Sequence, residues 1–328
     1  MSVSTKRTSN CTDNCFDNPA PKVYSLRMRA NMHLHSRYSD GTIWPAQVAE
    51  RAAAAELGFS ALTDHDTLGG TEEFMRAAKY LGITTVPGVE IDCREPSIQF
   101  KSEILAYFPS GHYENTQAFL REINSGRLKQ AKEAISRAKK YFNSKSLDFH
   151  ELLTRKRADR IELPAECFSF NKVDMYLYLR DAGAIRQDVD YKTFKRTYFD
   201  SRILVDGSRD KPLCSEIARI VRMDGGFLVV PHIGHEFDDQ VEIIKKEKNR
   251  LGLLVDYFQS IGVAGLELYH YRNGGRDELN RLIRKEAKTR GLFCTYGSDC
   301  HGPASGKDTI TDFYGDMDAF PWDVLQSV

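Results

Sequence analysis

The stretch LRMRANMHLHSRYSDGT, residues 26 to 42, places two histidines one residue apart at the end of a strand-like segment. Alternate side chains of a strand point to the same side, so His33 and His35 can approach a single ion together. Asp40 follows five residues after His35 and adds a carboxylate. The stretch therefore suggests a metal site at a strand end, a hypothesis that the rest of the chain has to support.

Strand-like and helix-like segments alternate along most of the chain. The Ala-rich segment WPAQVAERAAAAELG is typical of a helix, and the short apolar runs FSALTDHD, FLVVPH, GLELYH and LFCTYGSD are typical of buried strands. Continuous apolar strands separated by helices predict a parallel sheet that is buried on both faces. For an α/β chain of 328 residues, a (β/α) barrel is the expected architecture.

The middle of the chain breaks this alternation, because it is charged and patterned like helices. We therefore expect a mainly helical insertion that acts as a lid over residues 111–212. The barrel would occupy residues 25–110 and 213–328, and the polar, aperiodic residues 1–24 would form a disordered leader.

Polar side chains capable of binding metal end almost every apolar run. They are His33 with His35, Asp64 with His65, Glu90, His232, Glu267 with His270, and Asp299 with His301. The carboxyl ends of barrel strands meet on one face, so these residues should share a cleft. Burying so many imidazoles and carboxylates is costly unless cations pair with them, and mixed donors of this kind suit zinc, manganese or iron. One ion cannot use them all, which predicts a multinuclear centre of the type that hydrolyses phosphate esters.

Five motifs in this order, HLHSRYSDGT, ALTDHDT, PGVEI, VVPH and GSDCHG, resemble the polymerase and histidinol phosphatase (PHP) family. The similarity is greatest to its branch of small-molecule and nucleotide phosphatases and 5′-exonucleases. It covers residues 28–108 and 213–303 and is weak across the insertion. The resemblance implies a distorted (β/α)7 barrel that holds two or three divalent ions, Mn, Fe or Zn, with Mg as an alternative.

The resemblance also implies a role for individual residues. The first ion would be bound by His33, His35, Asp299 and a bridging Glu90. A second would be bound by Asp40, His65 and His301, and a third by His232 with a share of Glu90. Asp64 would orient a neighbouring imidazole, and a hydroxide between the metals would attack phosphorus.

At the third ion the chain departs from the pattern of this branch. The position of a family histidine on the helix after the insertion falls on Asp174, and another family histidine is replaced by Glu103 in SEILAYF. Two anionic oxygens in place of two nitrogens would favour Mn or Mg over Zn. The alternative is that this third position is lost and Asp174 is an exposed helix residue.

Basic residues outnumber acidic ones between residues 121 and 160, which is consistent with either a solvated helix face or a lid that attracts an anionic substrate. Arg37 and Lys172 lie beside the proposed ligand motifs and are candidates for phosphate contacts, and His270 is a candidate for substrate contact. A Gly-rich phosphate loop before a helix is missing from the sequence, so nucleoside triphosphatases and dinucleotide enzymes are not indicated.

Composition narrows the cellular setting. Equal numbers of basic and acidic residues argue against a general polyanion-binding surface, and an odd number of scattered cysteines indicates reduced thiols. The chain contains no run of 18 apolar residues and no apolar signal-peptide core. These features predict a cytoplasmic protein without membrane contact, whose partner is a small phosphorylated substrate. They do not predict its oligomeric state.

Three functions are compatible with these residues. The first is a metal-dependent phosphatase that acts on a nucleotide-like or other small phosphate ester. The second is a 5′-3′ exonuclease on short oligonucleotides, for which the basic insertion would form the groove. The third is a noncatalytic barrel that binds only metal or ligand.

Overall fold

The structure is a computed structural model of the chain that describes residues 28–207, 210–272 and 275–317. The predicted leader, residues 1–24, lies outside the described residues.

Nine strands form two sheets, ordered β3-β2-β1-β9 and β4-β5-β6-β7-β8. Their bounds are β1 Met28–Leu34, β2 Phe59–Leu62, β3 Thr84–Thr85, β4 Gly88–Asp92, β5 Glu103–Tyr107, β6 Phe227–Val230, β7 Val263–Tyr269, β8 Phe293–Gly297 and β9 Gly315–Met317. Single bridges between Leu34 and Cys300 and between His65 and Glu90 connect the two sheets. The sheets therefore curl into one distorted barrel whose strands bring their carboxyl ends together, as the predicted α/β barrel requires.

The barrel strands are not all parallel, which corrects the expectation from the sequence. Strand β5 pairs antiparallel with both β4 and β6, whereas β1 with β2, β6 with β7 and β7 with β8 are parallel. The chain between β4 and β5 contains only a short 3₁₀ turn, Pro96–Ile98. A connection this short can join antiparallel neighbours but cannot make the crossover that a parallel pair needs.

Ten α-helices accompany the strands in the described residues. They are α1 Pro45–Ala54, α2 Thr71–Tyr80, α3 Glu114–Tyr141, α4 Phe149–Arg157, α5 Lys172–Asp181, α6 Tyr191–Phe194, α7 Cys214–Met223, α8 Val241–Lys246, α9 Lys248–Ser260 and α10 Arg276–Thr289. Helix α1 shows why these segments are helical. Pro45 occupies its first turn, and Pro45, Val48, Ala49 and Ala52 form its buried stripe at helical spacing.

Between β5 and β6 the described chain contains only helices and loops, from α3 to α6. This helical segment has its own hydrophobic cluster, including Leu128, Ile135 and Phe168, which also takes in Tyr38 and Trp44 from the loop after β1. The amide of Ser169 donates to the carbonyl of Tyr38 at 2.8 Å. The segment is therefore packed directly against the loop that carries Asp40.

Within the described ranges, none of the helices combines the length and the apolar character needed to cross a bilayer.

Candidate metal centre

The residues that end the barrel strands converge in three groups, each with one potential ligand atom per residue within 4.8 Å of the others. The groups are His33, His35 and Asp299; His35, Asp40, His65 and His301; and Glu90, Glu103 and His232. His33 and His35 share a side of β1, so their Nε2 atoms lie 3.1 Å apart. The structure thus brings together eight of the nine residues that were predicted as metal ligands, and adds Glu103.

Glu90 lies where the three groups meet. Its Oε1 is 3.1 Å from Nε2 of His232, and its Oε2 is 3.2 Å from Nε2 of His33 and 3.2 Å from Nδ1 of His65. Glu90 is 1% exposed, and no hydrogen bond from a described residue reaches Oε2. A buried carboxylate oxygen that faces several imidazole nitrogens without a hydrogen bond is the arrangement that a bridging divalent cation satisfies. The donor set therefore fits metal ions.

The electrostatics of the protein alone point the same way. Burial opposes ionisation of Glu90, but the facing imidazoles, His33 and His65 foremost, hold the pKa of its carboxyl well below its usual range. Burial also opposes protonation of His35, but hydrogen bonds to Asp299 and Glu90 raise its pKa to about 9. The cluster thus draws positive charge into a buried site, which is a property expected of a place that binds cations.

Strained backbone supports the site. His232, Asp299 and Asp66, which follows His65, have φ values of 33°, 52° and 50°. Residues other than glycine adopt this left-handed region at a cost of about 1–3 kcal/mol each, and such strain collects where geometry serves function. The turn at each strand end is therefore held in a shape that aims its side chain into the cluster.

Glu267, a residue of β7 to which the sequence reading gave no role, orients two candidate ligands. It is 0% exposed, and its Oε1 accepts a hydrogen bond from Nδ1 of His33 at 2.9 Å. Its Oε2 accepts from the backbone amide of His232 at 3.1 Å. The first contact leaves Nε2 of His33 free to face a metal, as carboxylate partners of metal-binding histidines do. A carboxylate within the apolar segment GLELYH was the available signal.

Lys307 and Tyr269 are two further residues that the sequence reading missed. The Lys307 ammonium lies 2.7 Å from Oδ2 of Asp299, and the Tyr269 hydroxyl donates to the same oxygen at 2.9 Å. On the other side, Oδ1 of Asp299 lies 3.1 Å from Nε2 of His35. Both oxygens of Asp299 are thus committed, one toward the imidazole cluster and one to these two donors.

Asp64 reaches an imidazole only through a serine. Its oxygens accept hydrogen bonds from the amide and hydroxyl of Ser36 and from the hydroxyl of Ser39. The Ser39 hydroxyl also lies 3.4 Å from Nδ1 of His35. Asp64 therefore shapes the loop after β1 and contacts no histidine directly, which modifies the predicted role.

Asp174 does not join the metal groups. It is the third residue of α5, where Oδ2 accepts the amide of Asn171 at 2.7 Å and Oδ1 pairs with the Lys156 ammonium at 2.6 Å. Its carboxylate thus caps a helix and neutralises a buried cation, so it is also not the exposed residue of the alternative. Glu103 stands with Glu90 and His232 in the third group instead.

The other predicted contact residues have different surroundings. The Arg37 guanidinium donates to the carbonyls of Arg155 and Thr42 and stacks on Trp44, so its hydrogen bonds are structural. Lys172 lines a cleft of about 720 Å³ that also borders Asp40, His65 and Glu103. His270 lines a separate cavity of about 890 Å³ together with Arg276, and it belongs to none of the three groups.

The cleft beside the metal groups is lined by basic side chains from Lys101 and the helical segment. Those from the segment and its return to the barrel are Arg127, Lys172, Lys195, Arg202 and Lys211. Lys139 and Lys140, in the basic stretch singled out from the sequence, are exposed and do not line this cleft. The basic residues that face the candidate site are therefore different from those that the charge count emphasised.

Comparisons with known proteins agree with this geometry. A family model described as PHP domain matches residues 31–165. The chain is 27% identical to the 3',5'-nucleoside bisphosphate phosphatase of Chromobacterium violaceum, over 84% of this chain and 88% of that protein. It is 24% identical to the phosphoribosyl 1,2-cyclic phosphate 1,2-diphosphodiesterase of Eggerthella lenta, over 84% and 95% of the two chains. A solved amidohydrolase structure from Chromobacterium violaceum with bound sulfate shares the fold, with a TM-score of 0.66, 24% identity and coverage of 91% and 96%.

The chain is thus a PHP-domain protein of the metal-dependent phosphoesterase class. The fold class and the enzyme class expected from the sequence are confirmed. The identity and number of the ions, and the roles of the individual residues, remain to be assigned by experiment.

Proposed function

We propose that the protein hydrolyses a phosphate ester of a nucleotide-like small molecule and uses two or three divalent ions held by its strand-end cluster. The carrying observation is the convergence of three ligand groups on Glu90, whose buried Oε2 has no hydrogen bond of its own. In this reaction water adds to phosphorus, and the bond between phosphorus and the ester oxygen breaks to release an alcohol.

The residues divide the work of holding the ions. His33, His35 and Asp299 would hold the first, and Asp40, His65 and His301 would hold the second, with Glu90 shared between them. Glu103 and His232 would hold the third, also with Glu90. Ions at such positions lower the pKa of water and neutralise phosphate oxygens. The two carboxylates of the third group make it the harder site, which favours Mn or Mg there.

The cleft supports a substrate with more than one anionic group. Lys172 forms no ion pair with any described residue, and it lies near Lys195, with its ammonium 5.5 Å from the centre of the Phe199 ring. Burial and the nearby Lys195 lower the pKa of Lys172, as expected where cations are held together without sufficient counter-charge. A second phosphate would supply that charge, and the relative from Chromobacterium violaceum acts on a bisphosphate.

The test is a turnover assay with added manganese and five substrates. They are p-nitrophenyl phosphate, bis-p-nitrophenyl phosphate, a nucleoside monophosphate, a nucleoside 3',5'-bisphosphate and a 5′-labelled short RNA. We expect the bisphosphate to give the highest kcat/KM. Stepwise release of nucleotides from the RNA at a higher kcat/KM would identify an exonuclease instead, and no turnover of any substrate would identify a binding barrel.

Two variants connect the assay to the site. Glu90→Ala should lose bound metal and turnover together while retaining its circular dichroism spectrum, and Lys172→Met should raise KM for the bisphosphate more than for p-nitrophenyl phosphate. Lys139→Met is the matched control, because Lys139 is an exposed lysine of the same helical segment outside the cleft. Full activity in Glu90→Ala would refute the assignment of the centre.

A further inference from the structure

Two cations of the helical segment reach into the barrel beside candidate metal ligands. Arg127 lies on α3 and is 8% exposed, and Lys156 lies on α4 and is 5% exposed. Long cationic side chains are rarely buried to this degree unless they are paired. The pairing partners show what these two residues are placed to do.

Arg127 connects the chain after β2 to the end of β4. Its Nε donates to Oδ2 of Asp66 at 2.7 Å, and its Nη2 lies 2.6 Å from Oδ2 of Asp92. Asp66 directly follows His65, and its amide donates to the carbonyl of Glu90 at 2.8 Å. Arg127 thus braces the turn that carries His65 against the strand that carries Glu90.

Lys156 makes the corresponding contact on the loop after β1. Its ammonium donates to the carbonyl of Ser39, the residue before Asp40, and to Oδ1 of Asp174 at 2.6 Å. Asp174 in turn accepts the amide of Asn171, and Oδ1 of Asn171 accepts from Nη1 of Arg127 at 2.5 Å. The two cations therefore belong to one connected hydrogen-bond network.

This network touches only one of the metal groups at adjacent residues. Asp40 and His65 both belong to the group of His35, Asp40, His65 and His301. In the described part of the chain, the residues flanking His33 and Asp299 receive no hydrogen bond from the helical segment. The contact is therefore asymmetric, with one metal position braced by the helical segment and the other held by the barrel alone.

We propose that Arg127 and Lys156 are positioning residues through which the helical segment sets the metal affinity of this second position, while the first position is independent of the segment. The inference rests on the proposed function, because it assumes that the group binds a divalent ion. Partners of ligand-bearing residues fix the orientation of the ligands, and their loss typically costs about 10- to 100-fold in metal affinity or activity. Arginine suits the task, since its planar fork spans two carboxylates where a lysine can address only one.

The test compares Arg127→Lys and Lys156→Met with Arg137→Lys. Arg137 is the matched control, because it also lies on α3 and pairs with two carboxylates, Glu133 and Asp206, far less deeply buried. For each protein, bound metal is measured by elemental analysis after dialysis, and Mn²⁺ binding is followed by calorimetry. Melting in the presence of a chelator reports the effect on the fold without metal.

We expect both test variants to lose one equivalent of bound metal and to weaken one class of Mn²⁺ sites by about 10- to 100-fold. The remaining sites should keep their affinity, and turnover should recover at saturating Mn²⁺. Arg137→Lys should behave as the wild type. Uniform weakening of all sites, or a melting shift without any change in Mn²⁺ binding, would overturn the proposal in favour of a purely structural role.

The failures are distinguishable. A wild-type protein that binds no Mn²⁺ would refute the proposed function and this inference together. A wild-type protein that binds metal and hydrolyses phosphate esters, with unchanged metal content in folded Lys156→Met, would refute the inference alone. If Arg127→Lys does not fold, Lys156→Met decides the question, because Lys156 contacts a backbone carbonyl next to Asp40 and leaves the Arg127 pairs in place.

Discussion

Oε1 of Glu267 lies 2.9 Å from Nδ1 of His33, and both side chains are 0% exposed. This contact fixes the tautomer of His33, because a carboxylate accepts and the Nδ1 hydrogen must be donated to it. Nε2 is then the nitrogen that faces Glu90 and His35. The pair is a buried outer layer of the candidate metal centre.

Glu267→Gln should reduce metal affinity by about 10- to 100-fold, because an amide of the same shape is a weaker acceptor and does not fix the His33 tautomer. Manganese titration followed by calorimetry gives the affinity directly. Glu278→Gln on α10 is the control, since Glu278 pairs with Arg281 at the surface. Equal Mn²⁺ affinity in Glu267→Gln and wild type would exclude a role for the carboxylate.

Metal binding should release protons at neutral pH. The pKa of His35 in the protein alone is raised to about 9, so this imidazole holds a proton below that pH, whereas a metal needs the neutral ring. Apparent affinity should therefore rise with pH until about pH 9 and then level off. Calorimetry in two buffers with different ionisation enthalpies measures the proton release, and buffer-independent heats at pH 7 would contradict the expectation.

Gly297→Ala should disrupt the centre from behind. A Cβ at this position would lie 1.9 Å from Oε1 of Glu267 and 2.7 Å from Cβ of His33. Neither buried side chain has room to move, so we expect a loss of about 1–3 kcal/mol in the free energy of unfolding together with reduced metal content.

Gly252→Ala provides the opposite case. Gly252 is inside α9, and the nearest atom to an added Cβ is at 3.4 Å, on the flexible Arg290 side chain. Alanine should stabilise the helix by up to about 1 kcal/mol. Urea unfolding of both variants checks the pair, and a Gly297→Ala protein as stable as the wild type would show that the turn can relax.

Asp224 should make stability depend on acid pH. Its oxygens accept the amides of Asn115 and Thr116 in the first turn of α3 and also their side chains. Burial raises its pKa, but the hydrogen bonds from Thr116 and Asn115 outweigh this and lower the pKa below its usual value. Stability from this group is therefore complete above the unfolded-state pKa of about 3.9 and is lost as pH falls through the folded-state pKa.

The corresponding variant is Asp224→Ala, which should lose about 0.5–2 kcal/mol at pH 7 and much less at pH 3. Urea unfolding at the two pH values gives both differences. A loss that is the same at pH 3 and pH 7 would mean that the ionised carboxylate is not what stabilises the start of α3.

Local patterns in the sequence were sufficient to predict the barrel and most of the cluster. Buried strands require continuous apolar runs, and strand ends must carry their polar residues outward, so His33, His65, His232 and Asp299 were visible as punctuation of those runs. Parallel strands meet at one face, which allowed residues far apart in the chain to be grouped before the fold was known.

The tertiary structure decided what depends on neighbours from distant parts of the chain. Strand β5 runs antiparallel because its connection to β4 is too short for a crossover, which alternation of elements does not reveal. Asp174 faces Lys156 and a helix start rather than a metal group, and Glu267 and Lys307 acquire their roles from His33 and Asp299. Residue type determines which contacts a side chain can make, but only the packed fold determines which partner is within about 3 Å, the range over which a hydrogen bond or ion pair acts.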